Sequence, residues 1–329
     1  MSYDFIAIGD IVTDAFIVLR EAEVHEKMDH TAKEICMPWG AKIPYEDVVV
    51  CPAVGNAANA AVSAARLGLT TAFVTNQGDD EVGASHLQSL TKDGVSAEFV
   101  KTHPGMKSNY HYVLSFKGER TILIKHEHYN RTVPDIGSPK WVYLSSFGEA
   151  SETFQGELKT YLDSHPDISV TFQPGVFEVR TPVEKLSWLY RRATIFVCNI
   201  EEAQTILGAK SRDVSLLAKG VLALGPKIVC LTDGPDGAYA SDGNELWFIP
   251  PYPDPKPPLD RTGAGDAFAS TFTTAITLGK PLSEALSWGP INSMSVVQYY
   301  GAQEGLLSRA ALEKFLTEAP TDYRPRKIS

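Results

Sequence analysis

Cysteine is scarce in this chain, with four residues in 329 (Cys36, Cys51, Cys198 and Cys230) and no paired spacing. That excludes a disulfide-stapled secreted scaffold and points to a reduced, cytoplasmic setting. Long apolar runs are missing too, none approaching the ~20 residues that a membrane-spanning helix needs. The run Tyr3-Asp4-Phe5-Ile6-Ala7-Ile8 has no basic segment before it and reads as a buried strand, not a signal peptide. Positive charge is in deficit: 30 Lys and Arg against 40 Asp and Glu give a net charge of −10, without a Lys/Arg block. Nucleic acid and anionic membranes are therefore poor partners. Compact zinc spacings are also lacking, since neither His25, His30 and Cys36 nor His126-Glu127-His128 fits one. The second group instead predicts a strand with both histidines on one face.

What is present is a chain that is 43% hydrophobic, enough for one large domain or a domain with an appendage. From Ala53 onward, short apolar runs alternate with helical patterns. Helices are predicted over 57–67 and 82–93, each followed by a stop glycine, Gly68 and Gly94. Strands are predicted at 71–75, 141–144, 168–172, 195–198 and 228–232. Such alternation implies an α/β domain whose mostly parallel sheet is covered on both faces. Two segments, 16–50 and 100–125, break the rhythm with polar, alternating sequence. Tyr110 to Phe116, the turn at Lys117-Gly118 and Thr121 to Ile124 read as a hairpin. The expectation is a small β-sheet lid inserted in two pieces into a core of 1–15, 51–99 and 126–329. Its uncovered face or edge would suit pairing with a second subunit.

The densest chemistry lies in Leu259-Asp260-Arg261-Thr262-Gly263-Ala264-Gly265-Asp266-Ala267-Phe268. Gly263, Ala264 and Gly265 leave the backbone bare, so their N–H groups can converge on an anion. A helix predicted from Asp266 to about Leu278 aims its positive end at the same place. Asp266 sits where a carboxylate could take a proton from an attacking hydroxyl, or it simply caps the helix. A proline-rich connector, six prolines between Pro250 and Pro258, leads stiffly into this turn. Farther upstream, Gly55 lets a ligand approach the backbone, and Asn56 and Asn59 share one helical face. Their amides suit sugar hydroxyls, although Asn56 as a cap and Asn59 as a satisfied core amide remain open. Asp10 and Asp14 follow the first strand; Asp14 is the expected ligand, and Asp10 the structural one of the two.

These segments together resemble the ribokinase-like (PfkB) carbohydrate kinase family over nearly the whole chain. The resemblance implies a three-layer α/β/α fold with a β lid and transfer of the ATP γ-phosphoryl group to a sugar or nucleoside hydroxyl. It implies that the Gly263, Ala264 and Gly265 amides form the anion hole and that Asp266 is the catalytic base. Val54-Gly55-Asn56-Ala57-Ala58-Asn59 is similar to the family's Gly-Gly-x-x-x-Asn substrate motif, with Val54 replacing the first glycine. Asp14 matches the aspartate that binds two neighbouring sugar hydroxyls. On the nucleotide side, Asn199-Ile200-Glu201-Glu202 resembles the Asn-x-x-Glu motif that organises magnesium, with Glu202 acting through water. Thr232, Gly234 and Gly237 match the turn that wraps the nucleotide, and Asn292 falls where the family lines the adenine site. Asp260 and the Thr262 carbonyl match part of a monovalent-cation site, which implies potassium. Arg261 departs from the family's small residue and faces either the phosphates or solvent.

The acceptor is open between a sugar and a nucleoside. Phe16, Trp39, Tyr45, Tyr110 and Tyr112 could stack on a base or could form the core of the lid. A vitamin-precursor kinase fits less well, because such relatives usually lack this lid and the asparagine motif. A non-catalytic sugar or nucleotide sensor would have no need of Asp266.

Overall fold

The computed structural model describes residues 2–27, 33–147 and 152–328; His30, weighed above for zinc, lies outside them. The first strands in chain order are β1 (Phe5–Ile8), β2 (Val12–Leu19), β3 (Glu23–Glu26), β4 (Lys33–Cys36), β5 (Tyr45–Val54) and β6 (Thr71–Gly78). Next come β7 (Val95–Ser96), β8 (Val100–His103), β9 (Tyr110–Phe116), β10 (Glu119–Leu123), β11 (Trp141–Ser145) and β12 (Ser169–Gln173). The last are β13 (Ile195–Asn199), β14 (Ile228–Thr232), β15 (Ala238–Ser241), β16 (Leu246–Ile249) and β17 (Arg326–Lys327). The helices are α1 (Asn56–Arg66), α2 (Glu81–Lys92), α3 (Glu152–Ser164), α4 (Val176–Arg180) and α5 (Val183–Arg192). They continue as α6 (Ile200–Leu207), α7 (Val214–Ala223), α8 (Ala264–Thr277), α9 (Leu282–Val296) and α10 (Arg309–Thr317).

Eleven strands form the main sheet, ordered β17-β16-β15-β14-β13-β12-β11-β1-β6-β7, with β8 on the far end of β6. From β6 to β14 the ladders are parallel, and β15 to β17 close one edge as an antiparallel meander. Every residue of β1 is buried, as a strand covered on both faces requires. Alternation then splits the core. Phe5 and Ala7 join the layer of α1, α8 and α9, while Ile6 and Ile8 join the layer of α3, α5, α6 and α7. Burial of these two apolar layers is the main force holding the three together. Among the described residues, no helix is long and apolar enough to cross a membrane.

The lid is a second sheet, ordered β10-β9-β2-β5. It begins at Val12 and its other long strand ends at Val54, so the expected boundaries at 15 and 50 fall inside its strands. Residues 100–103 pair with β6 of the main sheet and do not belong to the lid. The reason is that β5 runs from an exposed start to a buried end while β2 has no exposed residue, so composition alone assigned their inner ends to the core. The predicted hairpin is present, with Lys117 and Gly118 both at positive φ (50° and 80°), as a two-residue turn of primed type requires. His126-Glu127-His128 forms no strand; His126 is half-buried and His128 exposed. That segment is held by side chains, Asn109 accepting from the Glu127 N–H at 2.8 Å.

Candidate active site

Helix α8 begins two residues earlier than predicted, so Asp266 lies inside its first turn and Gly263 is the N-cap. Gly263 has φ 78°, and a Cβ there would meet the Ala302 Cβ at 2.2 Å. Glycine is thus required twice, for backbone shape and for the close approach of the 298–302 segment. A Cβ on Gly265 would meet no protein atom within 4 Å. Together with Ala264, it borders a cavity of about 230 Å³ beside the helix N-terminus. That is the geometry of an anion cradle: bare backbone, open space and a helix dipole directed into it.

Asp266 is half-buried and held at both oxygens. Asn59 donates to Oδ2 at 2.8 Å and Gln173 to Oδ1 at 3.0 Å. Burial pushes its carboxyl above the ordinary carboxylate range, and the two amide donors pull it partly back. A carboxylate so placed is oriented without being neutralised by an ion pair. Asn59 also accepts from Gln303 at 3.0 Å, and Gln303 donates to the Ala53 carbonyl at 2.8 Å. Tyr143, on β11, donates its hydroxyl to Gln173. Asn59 thus links Asp266 to Gln303, with one N–H of its amide group still uncommitted. Its neighbour Asn56 heads α1 half-buried, and Gly55 is the N-cap at φ 116°, so the two capping alternatives do not hold.

Asp14 lies within the lid strand β2, with His111 of β9 as its ladder partner and the His111 Nδ1 3.2 Å from its Oδ1. Its position joins the lid to the cleft, since its charge is felt at Asp266.

The nucleotide-side residues divide. Thr232, Gly234 and Gly237 line the 230 Å³ cavity, opposite Ala264, Gly265 and Phe268 of α8 and Ser293, Met294 and Val297 at the end of α9. Pro251, Tyr252 and Pro258 of the stiff connector border it, as does the exposed Arg261. Asn292 is not brought into the site. Its side chain is fully buried, donating to Thr271 Oγ1 at 2.7 Å and accepting from the Leu307 N–H at 2.9 Å. The helical period places Ser293, one residue on, at the cavity instead.

Asn199 and Glu202 form a reciprocal capping box at the start of α6, with bonds of 2.8 and 2.9 Å. Burial, and then the charge of Asp266, raises the Glu202 carboxyl. One Glu202 oxygen is spent on the cap and the other is free for a water. Among the described residues there is no cluster of three or more His, Cys, Asp or Glu side chains able to cage a metal. One free carboxylate oxygen acting through water fits magnesium carried in on a phosphate chain, not a protein-only metal site. Asp260 accepts from the Thr262 N–H at 3.0 Å and hydroxyl at 2.8 Å with one oxygen, and from the Gly301 N–H at 3.0 Å with the other. It ties the anion-hole turn to the segment that Gly263 abuts.

Tyr143, Gln173 and Gln303 belong to no motif that the sequence singles out. Nothing local marks Tyr143 or Gln303, because each acts through a partner far away in sequence.

The family model described as pfkB family carbohydrate kinase matches residues 40–309. An uncharacterized sugar kinase of Archaeoglobus fulgidus is 28% identical over 252 residues, covering 73% of this chain and 96% of that relative. The ribokinase of Bacillus subtilis is 28% identical over 272 residues, covering 80% of this chain and 87% of its own. Among solved structures, Arabidopsis thaliana ribokinase complexed with ribose and ATP superposes with a TM-score of 0.79 at 21% identity, over 96% of this chain and 99% of that one. A glycine-cradled anion site beside an oriented carboxylate, on this fold and with this family match, leads to one conclusion: the chain belongs to the pfkB family of carbohydrate kinases and is a sugar or nucleoside kinase.

Proposed function

We propose that the protein transfers the γ-phosphoryl group of ATP to a hydroxymethyl group of a sugar. The observation that carries this reading is Asp266, held by Asn59 and Gln173 in the first turn of α8, directly after Ala264 and Gly265 that line the cavity. Asp266 accepts the hydroxyl proton as the acceptor oxygen attacks. The Gly263 to Gly265 amides and the α8 dipole stabilise the charge on the moving phosphoryl group. Arg261 lies on the cavity wall, where a guanidinium suits phosphate oxygens. Magnesium, entering with the nucleotide near Glu202, supplies neutralisation of phosphate charge. The lid keeps out water, the competing acceptor.

A sugar is favoured over a nucleoside by where the aromatic candidates lie. Phe16 is fully buried against Tyr300, with ring centroids 6.0 Å apart, and Trp39 is fully exposed. Tyr45 is exposed, and Tyr112 lies on the lid face opposite Asp14 and His111. Tyr110, two residues before Tyr112, lies on that same face with the two ring centroids 5.2 Å apart, so none of the five is free to stack on a base beside Asp14. Potassium held by Asp260 and the Thr262 carbonyl would order the anion-hole turn without touching the acceptor. The outer lid face exposes Val48, Val50, Tyr112 and Leu123, an apolar patch that supports pairing of two copies through the lid. Light scattering that gives the mass of one chain would refute the pairing.

The test is ADP release with magnesium and ATP across pentoses, hexoses and nucleosides, with and without potassium. Turnover on unphosphorylated sugars is the expected result. ADP release confined to nucleosides would move the reading to a nucleoside kinase. ATP binding without turnover on any acceptor would favour a sensor.

A further inference from the structure

Beyond Asp14, the acceptor side of the cleft contains a second buried polar centre built around Asp10. The carboxyl ends of β1, β11 and β12 lie side by side, and the Asp10 N–H bonds the Ser146 carbonyl at 3.0 Å. Asp10 thus stands two strands from Gln173, the anchor of Asp266. At a strand spacing of ~4.8 Å, that is about 10 Å. Asp10 is 6% exposed and caps no turn; its Oδ1 takes a 2.5 Å bond from Arg131, 121 residues away. His126 Nδ1 comes within 3.5 Å of Oδ2 without aligning for a hydrogen bond, and the His126 ring lies 5.1 Å from that of His111. Two imidazoles therefore bridge Asp10 to Asp14.

The centre is unfinished. Asp10 Oδ2, Asp14 Oδ1, His111 Nε2 and Glu178 Oε1 are all buried and all lack a hydrogen-bond partner. A purely structural cluster at this depth would be satisfied, because an unpaired buried polar atom is costly. Three of the four orphans are carboxylate oxygens and the fourth is an imidazole nitrogen, so what is missing is a set of hydrogen-bond donors. The charges weigh the same way, since among the described residues Arg131 is the guanidinium paired with Asp10, and Asp14 has His111 beside it. A phosphate placed here would face both carboxylates.

We propose that Asp10, held by Arg131 and flanked by His126 and Glu178, is a second acceptor-binding carboxylate. It takes hydroxyls at the end of the sugar remote from the one presented to Asp266, and so selects an unphosphorylated polyhydroxyl acceptor over a sugar phosphate. The assignment rests on the sugar-kinase reading for the direction in which the acceptor lies, but it can be tested without turnover.

Calorimetry without nucleotide would compare neutral pentoses and hexoses, their monophosphates and nucleosides on the wild type, on Asp10→Asn and on His126→Ala. The expected result is that a neutral sugar binds tightest. Asp10→Asn should raise its Kd 10- to 100-fold and His126→Ala several-fold, with the ADP Kd within twofold of wild type in both. In turnover, the sugar KM should rise far more than kcat falls. Tighter binding of a monophosphate or nucleoside, no binding of any neutral sugar, or an unchanged sugar Kd in a folded Asp10→Asn would each overturn the assignment. If Asp10→Asn fails to fold, an unchanged sugar Kd in His126→Ala does so. Sugar binding that depends on Asp10 with no ADP release would sink the kinase reading and keep the subsite. ADP release with a sugar KM insensitive to both substitutions would do the reverse.

Discussion

On the nucleotide side of Asp266 the cleft is walled by backbone and small or apolar side chains, among them Gly234, Gly237, Ala264, Gly265 and Phe268. On the acceptor side it is walled by charged and polar side chains, Asp10, Asp14, His111, His126, Arg131 and Glu178, drawn from separate parts of the chain. The contrast follows from what each half must bind. A triphosphate is recognised by N–H groups and dipoles that any short glycine turn can present. A sugar is recognised by pairing individual hydroxyls, which requires side chains of fixed geometry. The first half is consequently written in a few short segments, within 232–238, 251–268 and 290–297, whereas the second is assembled from single residues far apart.

The comparison breaks most sharply at the residue the halves share. Asp266→Asn should keep the fold and lower kcat by ~10²–10⁴, the usual range for a positioned base. Turnover near wild type in ADP-release assays would remove Asp266 from that role. On the nucleotide side, two neighbouring glycines should respond in opposite ways. Gly263→Ala collides with Ala302 at positive φ and should cost about 1–3 kcal/mol in denaturant unfolding. Gly265→Ala meets no protein atom and sits in a helix, so stability should hold or rise by up to ~1 kcal/mol. Its methyl group enters the cavity, however, and the KM for ATP should rise about tenfold. Equal losses of stability in the two variants would show that Gly265 is structural and not part of the cradle.

The acceptor side should announce itself through pH. Burial pushes the Glu178 carboxyl up to about 7 from an ordinary 4.5. A raised carboxyl favours folding while it is protonated. Its contribution is therefore complete below about 4.5 and lost as pH rises through about 7, by at most ~3 kcal/mol. Unfolding free energy should accordingly fall between pH 5 and 8, and fall less in Glu178→Gln. An identical pH slope in that variant would mean that Glu178 ionises as it does in water.

Much of the fold could be read in advance because its signals are local. The alanine run of α1, the stop glycines Gly68 and Gly94, and the apolar strands from Trp141 to Thr232 each declare themselves within a dozen residues. The helix over 82–93 and the Lys117-Gly118 turn were legible for the same reason. The lid boundaries were not, because β5 runs from an exposed start to a buried end while β2 has no exposed residue, and composition reports burial, not pairing. His126-Glu127-His128 alternates like a strand yet forms none, since no neighbouring strand offers it a ladder.

By itself the sequence determined the parallel sheet, the glycine turn at Gly263 to Gly265 that opens a helix with Asp266 in its first turn, and the turn at Thr232 to Gly237, because periodicity and backbone freedom act over a few residues. The tertiary structure alone decided the rest. It turned Asn292 away from the cavity and assigned Asn59, Gln173 and Gln303 to holding Asp266. It also brought Arg131 to Asp10 and placed His111 and His126 between the two aspartates. Those are contacts between residues tens to hundreds of positions apart, and only the closing of the sheet, its helices and the lid brings them within hydrogen-bond reach.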